Sequence, residues 1–141
     1  MQTPDVLHGE VAQGAVHRLH AAMLQMPQVD IKTEHTFGPG LYVRTITVPA
    51  GVTLVGKTHK TEHLFMVLKG DITLVTDEGR IRVQAPFQCV SKAGVKRAGY
   101  AHTETVCANV HITSETDLVK LEAQLIEPDS LPGPEQKEIE L

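Results

Sequence analysis

The residues most able to do chemistry are His59 and His63, held in the stretch HKTEH. Written H-x-x-E-H, this matches an inverted zinc-protease signature, in which one helical turn aims both imidazoles at a metal. Such a helix needs ten or more residues of helical pattern around it and a third ligand beyond. The flanks read otherwise: VTLVGKT before and HLFMVL after are β-branched and apolar, with Gly56 just upstream. The helical metalloprotease is therefore excluded, and the two histidines are expected on neighbouring strands that meet at a turn. Residues two apart on a strand face the same way, so Val55, Lys57 and His59 share a side. With the turn at Lys60–Glu62, His63 comes back beside His59, near the mouth of a barrel.

Imidazole suits Zn, Fe, Ni or Cu, and a catalytic zinc takes three protein ligands plus water. Third-ligand candidates are His111 in NVHIT, His102 in GYAHTE and His35 in TEHTF. His111 is the first choice, although Val106, Ala108, Val110 and Ile112 form an apolar face that would turn it outward if that face were the interior. His102, Tyr100 and Glu104 share a hairpin and are the candidate acid/base or substrate-contacting groups. His35 would cap the barrel mouth. Arg97 could grip a carboxylate or phosphate through its planar fork. Glu62 and Arg44 are ambiguous, the latter sharing a strand face with Tyr42 and Ile46.

The elements that must position these groups follow from pattern. Val16, Leu19, Met23 and Met26 make one apolar stripe on a helix over 10–26, ended by Pro27, with His17 and His20 as solvated flanks. From Gly40 to Thr113 short strands alternate with turns such as Pro49-Ala50-Gly51 and Lys69-Gly70-Asp71, the pattern of an all-β sandwich or barrel. Ser114 and Asp117 suit the start of a helix over 115–127 carrying Leu118, Leu121 and Leu125, stopped by Pro128. The organisation expected is a helical lead-in over 1–39, a barrel over 40–113, a helix over 114–127 and a mobile tail over 128–141.

Composition bounds the function. The chain has 141 residues, 41% hydrophobic and 21% charged, the profile of one globular domain. A net charge of -4 argues against nucleic acid as a partner. No apolar run is long enough to cross a bilayer, and MQTPDVLHGE lacks the pattern of a secretory leader, so a cytoplasmic setting is expected. The 2 cysteines, Cys89 and Cys107, lack metal-site spacing and are expected as reduced thiols.

PAGVTLVGKTHKTEHLFMVLKGDITLV resembles the first motif of the cupin superfamily. Counting back from Gly70 puts His63 at that motif's glutamate position, His59 at its second histidine and Lys57 at its first. In APFQCVSKAGVKRAGYA, counting from Gly94 puts Arg97 at the second motif's histidine. Over Pro27 to Pro128 the chain also resembles small cupin-like proteins found in bacteriophage genomes, through GKTHKTEHL, AGVKRAGYAHTETV, VHIT and DLVKLEAQLIEP. The resemblance implies a single jelly-roll barrel flanked by two helices. The histidines' own placement adds the expectation of a divalent metal (Zn, Fe, Ni or Mn) at His59, His63 and His111, with Lys57, Arg97 and His35 contacting a small polar or anionic ligand, an arrangement that would suit a metal-dependent enzyme of unassigned reaction. As fixed cations, Lys57 and Arg97 would not bind metal themselves. A metal-free binding module and a purely structural barrel are the alternatives. A homodimer is expected, with the first helix's stripe covered by a second subunit.

Overall fold

The computed structural model describes residues 9–128. Helix α1 (Gly9–Met23) precedes nine strands: β1 (Lys32–Gly38), β2 (Leu41–Val48), β3 (Thr53–Val55), β4 (His63–Lys69), β5 (Asp71–Thr76), β6 (Gly79–Gln84), β7 (Phe87–Ser91), β8 (Ala98–Ala101) and β9 (Thr105–Ile112). Helix α2 (Leu118–Leu125) follows. The strands form two antiparallel sheets, ordered β1-β2-β9-β4-β7 and β3-β8-β5-β6. The first strand thus begins at Lys32, ahead of Gly40, where the sequence places only a lead-in.

Between the sheets lies a core of Ile46, Val48, Leu54, Phe65, Val67, Ile72, Leu74 and Cys107. Its composition follows from alternation along each strand: Phe65 and Val67 point in from β4, Ile72 and Leu74 from β5. Register then stacks inner residues into rows across the larger sheet. Ile46, Cys107, Val67 and Phe87 form an apolar row, Arg44, Asn109, Phe65 and Cys89 the next, and Tyr42 with His111 and His63 with Ser91 the row at the end beneath α2. The interior therefore grades from apolar to polar along the barrel axis. At the β4–β5 turn Gly70 has φ +96°, and a Cβ there would strike the Glu104 carbonyl and Thr105, so only glycine fits.

α1 lies on the outer face of the smaller sheet, where Val16 packs against Val55 and Ala98. Gln13 fastens it, its amide bonding the Lys96 carbonyl and N–H at 2.8 Å each. The buried face is Ala12, Val16 and His20, while Leu19 and Met26 are exposed. His20 is accordingly not a solvated flank, and the helix turns this face to its own barrel. The expected stripe is displaced because it was drawn through Leu19.

α2 covers the polar end. It starts at Asp117, whose side chain accepts the N–H groups of Val119 and Lys120, one turn later than Ser114 would have placed it. Leu121 and Leu125 pack on Tyr42. The Lys60 N–H donates to the Leu125 carbonyl (2.7 Å), the Glu127 N–H to the Thr58 carbonyl (2.8 Å), and Ile126 forms a β-bridge with His59. No described helix is long and apolar enough to cross a membrane. The tail expected over 128–141 lies, beyond Pro128, outside the described residues.

Candidate functional site

The polar end gathers three imidazoles. His63 is the first residue of β4 and faces in with Phe65. His111 belongs to the inner face of β9 together with Cys107 and Asn109, whereas Ile112 is 92% exposed. The apolar set Val106, Val110 and Ile112 therefore does not supply the interior, and the polar set does. β9 runs between β2 and β4, so its inner residues meet other side chains on both sides. His59 is not on a strand: β3 stops at Val55, and the loop that follows is held at His59 by the bridge to Ile126. Ring centroids lie 4.2 Å apart for His59–His63, 4.7 Å for His63–His111 and 5.2 Å for His59–His111.

Burial keeps these rings neutral. It lowers His59 to about 2, helped by His63, His111, Arg97 and Arg44. His63 falls to about 4 through burial, with the Thr61 carbonyl pulling the other way and Arg97 adding to the fall. His111 also drops to about 4, first by burial and then by His63 and Arg44. His63 Nδ1 lies 3.3 Å from the Thr61 carbonyl, so the neutral ring donates there and leaves an Nε2 lone pair. That Nε2 and His111 Nδ1 are buried without a hydrogen-bond partner.

Two arginines face the same chamber. Arg44 donates from Nε to the Tyr42 hydroxyl (3.0 Å), and Tyr42 stacks on His111. Arg97 is 6% exposed. Its Cζ sits 3.8 Å over the Phe65 ring centre, Nη1 donates to Ser91 Oγ at 3.1 Å, and Nη2 reaches Asn109 Oδ1 at 3.4 Å. Burial lowers it to about 10, which leaves it charged at neutral pH.

The other expected groups are placed elsewhere. Lys57 is buried but turns to α2, where it pairs with Glu122, rather than pointing at the histidines. His35 lies on β1, with Nδ1 2.7 Å from the Tyr42 hydroxyl, so Tyr42 separates it from the chamber. Tyr100, 42% exposed, shares the outer face of β8 with Ala98 because residues two apart face alike. His102 bonds Thr73 Oγ1 at 2.6 Å, and exposed Glu104 pairs with Lys69 at 2.8 Å. These three stand outside the barrel and take no part in the chamber. Glu62 is exposed. Sequence reasoning passed over Asn109 and Ser91 and named Tyr42 only as a strand-face neighbour of Arg44; the signal for Asn109 was its two-residue spacing from His111.

The donor chemistry suits a transition metal, since all three groups are neutral imidazoles and two carry open nitrogens. The arrangement does not yet fit one. Lone pairs lie in the ring planes, whereas His59 and His111 stack face to face at 25°. Among the described residues no group of three His, Cys, Asp or Glu is placed to hold an ion. Between Tyr42, Arg44, His59, His111 and α2 there is a space of about 10 Å³, room for roughly one water.

No family model matches the sequence, and no curated protein does. Solved structures do. A cupin superfamily protein from Desulfitobacterium hafniense is 10% identical, with 65% of this chain and 85% of that one aligned at a TM-score of 0.51. KdgF from Halomonas sp. is 12% identical over 63% of this chain and 86% of its own, at 0.52. Salicylate 1,2-dioxygenase from Pseudoaminobacter salicylatoxidans is 12% identical over 89% of this chain and 40% of its own, at 0.56. At such identities the likeness establishes the fold, an all-β cupin-like jelly roll.

Proposed function

We propose that this barrel binds a small polar or anionic ligand in the chamber of His59, His63, His111 and Arg97. One observation carries the reading: a buried guanidinium stands among neutral imidazoles, and no carboxylate of the described residues pairs with it. An unpaired buried charge is costly, and an anionic ligand offsets that cost. Thermal-shift screening of the full chain against small organic acids, phosphate and sugars tests it. The expected result is a dose-dependent rise in Tm that a chelator leaves unchanged and that His59→Ala and His63→Ala reduce. No stabilisation by any anion at millimolar concentration would remove this reading.

A divalent metal at the three imidazoles is the second reading, favoured by the open nitrogens on His63 and His111. Binding would require the rings to turn, and the ion would supply Lewis acidity at the chamber floor. Stoichiometric Zn, Fe, Ni or Mn in protein purified without a metal-affinity tag, lost in His59→Ala and His63→Ala, is its test. The sequence resemblance to phage cupin-like proteins and a setting in the host cytoplasm belong to the same proposal, as does a homodimer, which light scattering checks. For the dimer, the exposed β1 edge is a better candidate than α1, whose buried face is already covered.

A further inference from the structure

Beside Arg97 the barrel has a cleft of its own, on the side away from α2. β7 and β6 are the end strands of their sheets and are not hydrogen-bonded to one another. Alternation puts Cys89 and Ser91 on the inner side of β7, with Cys89 in register with Phe65 and Ser91 with His63. Cys89 is nonetheless exposed. An inward-facing residue of an edge strand stays exposed only where nothing closes the barrel in front of it. At that place a cleft of about 90 Å³ is lined by Cys89, Ser91, Lys92 and Arg97 on one side and by Asp77 and Glu78 of the β5–β6 turn on the other.

Arg97 is the cleft's unmatched group. Its Nε is buried with no partner, and the bond from Nη2 to Asn109, at 3.4 Å, is long. The same molecule shows what that edge of a guanidinium does when matched. Arg82 offers Nε and Nη2 to the Asp71 carboxylate at 2.9 and 2.8 Å. Resting on the reading of the chamber as an anion pocket, we propose that a small oxyanion enters through this side cleft, not beneath α2. It would pair with the Nε–Nη2 edge of Arg97 as Asp71 pairs with Arg82. The volume admits an acetate- or phosphate-sized group and excludes a nucleotide. At the rim Lys92 pairs with Glu78 at 3.0 Å and Asp77 stands beside them, so the rim is net negative and favours monoanions over polyanions.

The two thiols make the route testable in the intact chain. Cys89 is exposed and Cys107 buried, so N-ethylmaleimide should modify Cys89 alone. Acetate and inorganic phosphate would be titrated calorimetrically at matched ionic strength into unmodified and modified protein. Binding lost after modification, together with at least fivefold slower modification in the presence of saturating acetate, is the expected result. Arg97→Lys, which keeps the charge and loses the fork, should weaken acetate at least tenfold, and Ser91→Ala about threefold. Binding that survives modification of Cys89 unchanged would overturn the side route and leave the chamber reading standing. Absence of binding by either anion to unmodified protein would overturn both.

Discussion

Two ends of one barrel use the same strands for opposite purposes. At one end Ile46, Cys107, Val67 and Phe87 stack in register as a dry row. Four residues back along β2, and as far along the others, the row becomes Tyr42, His111, His63 and Ser91. Alternation is obeyed at both ends, so the backbone does not distinguish them. What differs is the cost of burial. The apolar row gains roughly 25 cal/mol for each Å² removed from water. The polar end instead holds three imidazoles far below their ordinary pKa, with His59 added from the loop after β3, and the Arg97 guanidinium without a carboxylate. The lesson is that one end stabilises the fold and the other is carried by it.

Acid should separate the two ends most strongly. Unfolded histidine binds a proton near 6.5, whereas native His63 and His111 do so only near 4 and His59 near 2. Between those limits the unfolded chain holds more protons, so stability is fully present above about pH 6.5 and falls as the pH drops toward 4. The loss by pH 4, summed over the three rings, is on the order of 9 kcal/mol. Urea midpoints measured from pH 7.5 to 4 check it, and a flat profile would mean that the three rings are not buried neutral. His63→Gln and His111→Gln should each flatten the slope.

Substitution in the dry end comes next. Ile72→Ala removes a fully buried side chain and should cost about 2–5 kcal/mol in chemical denaturation, with no effect on the anion response. In the polar end the sign reverses. Arg97→Met replaces an uncompensated buried charge with a shape of similar length and should raise stability by about 1–4 kcal/mol while abolishing stabilisation by acetate. A destabilised Arg97→Met that still responds to acetate would break the contrast between the two ends.

The dry end was legible in the sequence, because strand alternation and turn residues suffice to place Phe65, Val67 and Ile72. Much of the polar end was legible too: HKTEH pointed to His59 and His63, and the row of Tyr42 and His111 needed only β9's register. Two things were hidden. One was which face of β9 is the interior, since the pattern Val106, Ala108, Val110, Ile112 looks like a core while the true inner face is Cys107, Asn109, His111. Apolarity points inward only where the inside is dry. The other was Lys57, whose partner Glu122 is 65 residues away on an element that reaches the mouth only through tertiary packing. The hairpin grouping of Tyr100, His102 and Glu104 failed for a related reason, as spacing along a chain does not say which side of a sheet a residue takes.

The smallest effect tests the seal over the polar end. Asp117 caps α2 by accepting from Val119 and Lys120 at 3.0 and 3.1 Å, so Asp117→Ala should cost about 1 kcal/mol. Most of that cost should appear locally, as faster amide exchange of Leu121 and Leu125, because loss of the cap frees the first turn of α2 while the sheets keep their bonds. If anions reached the histidines from above, loosening α2 would change both their association rate and their affinity. Access through the cleft beside Cys89 leaves both within about twofold of the parent chain, a difference of less than about 0.5 kcal/mol. Helix exchange and anion kinetics measured on the same sample distinguish the two. Faster exchange with unaltered kinetics marks α2 as a fixed cover, and kinetics that accelerate with exchange mark it as the gate.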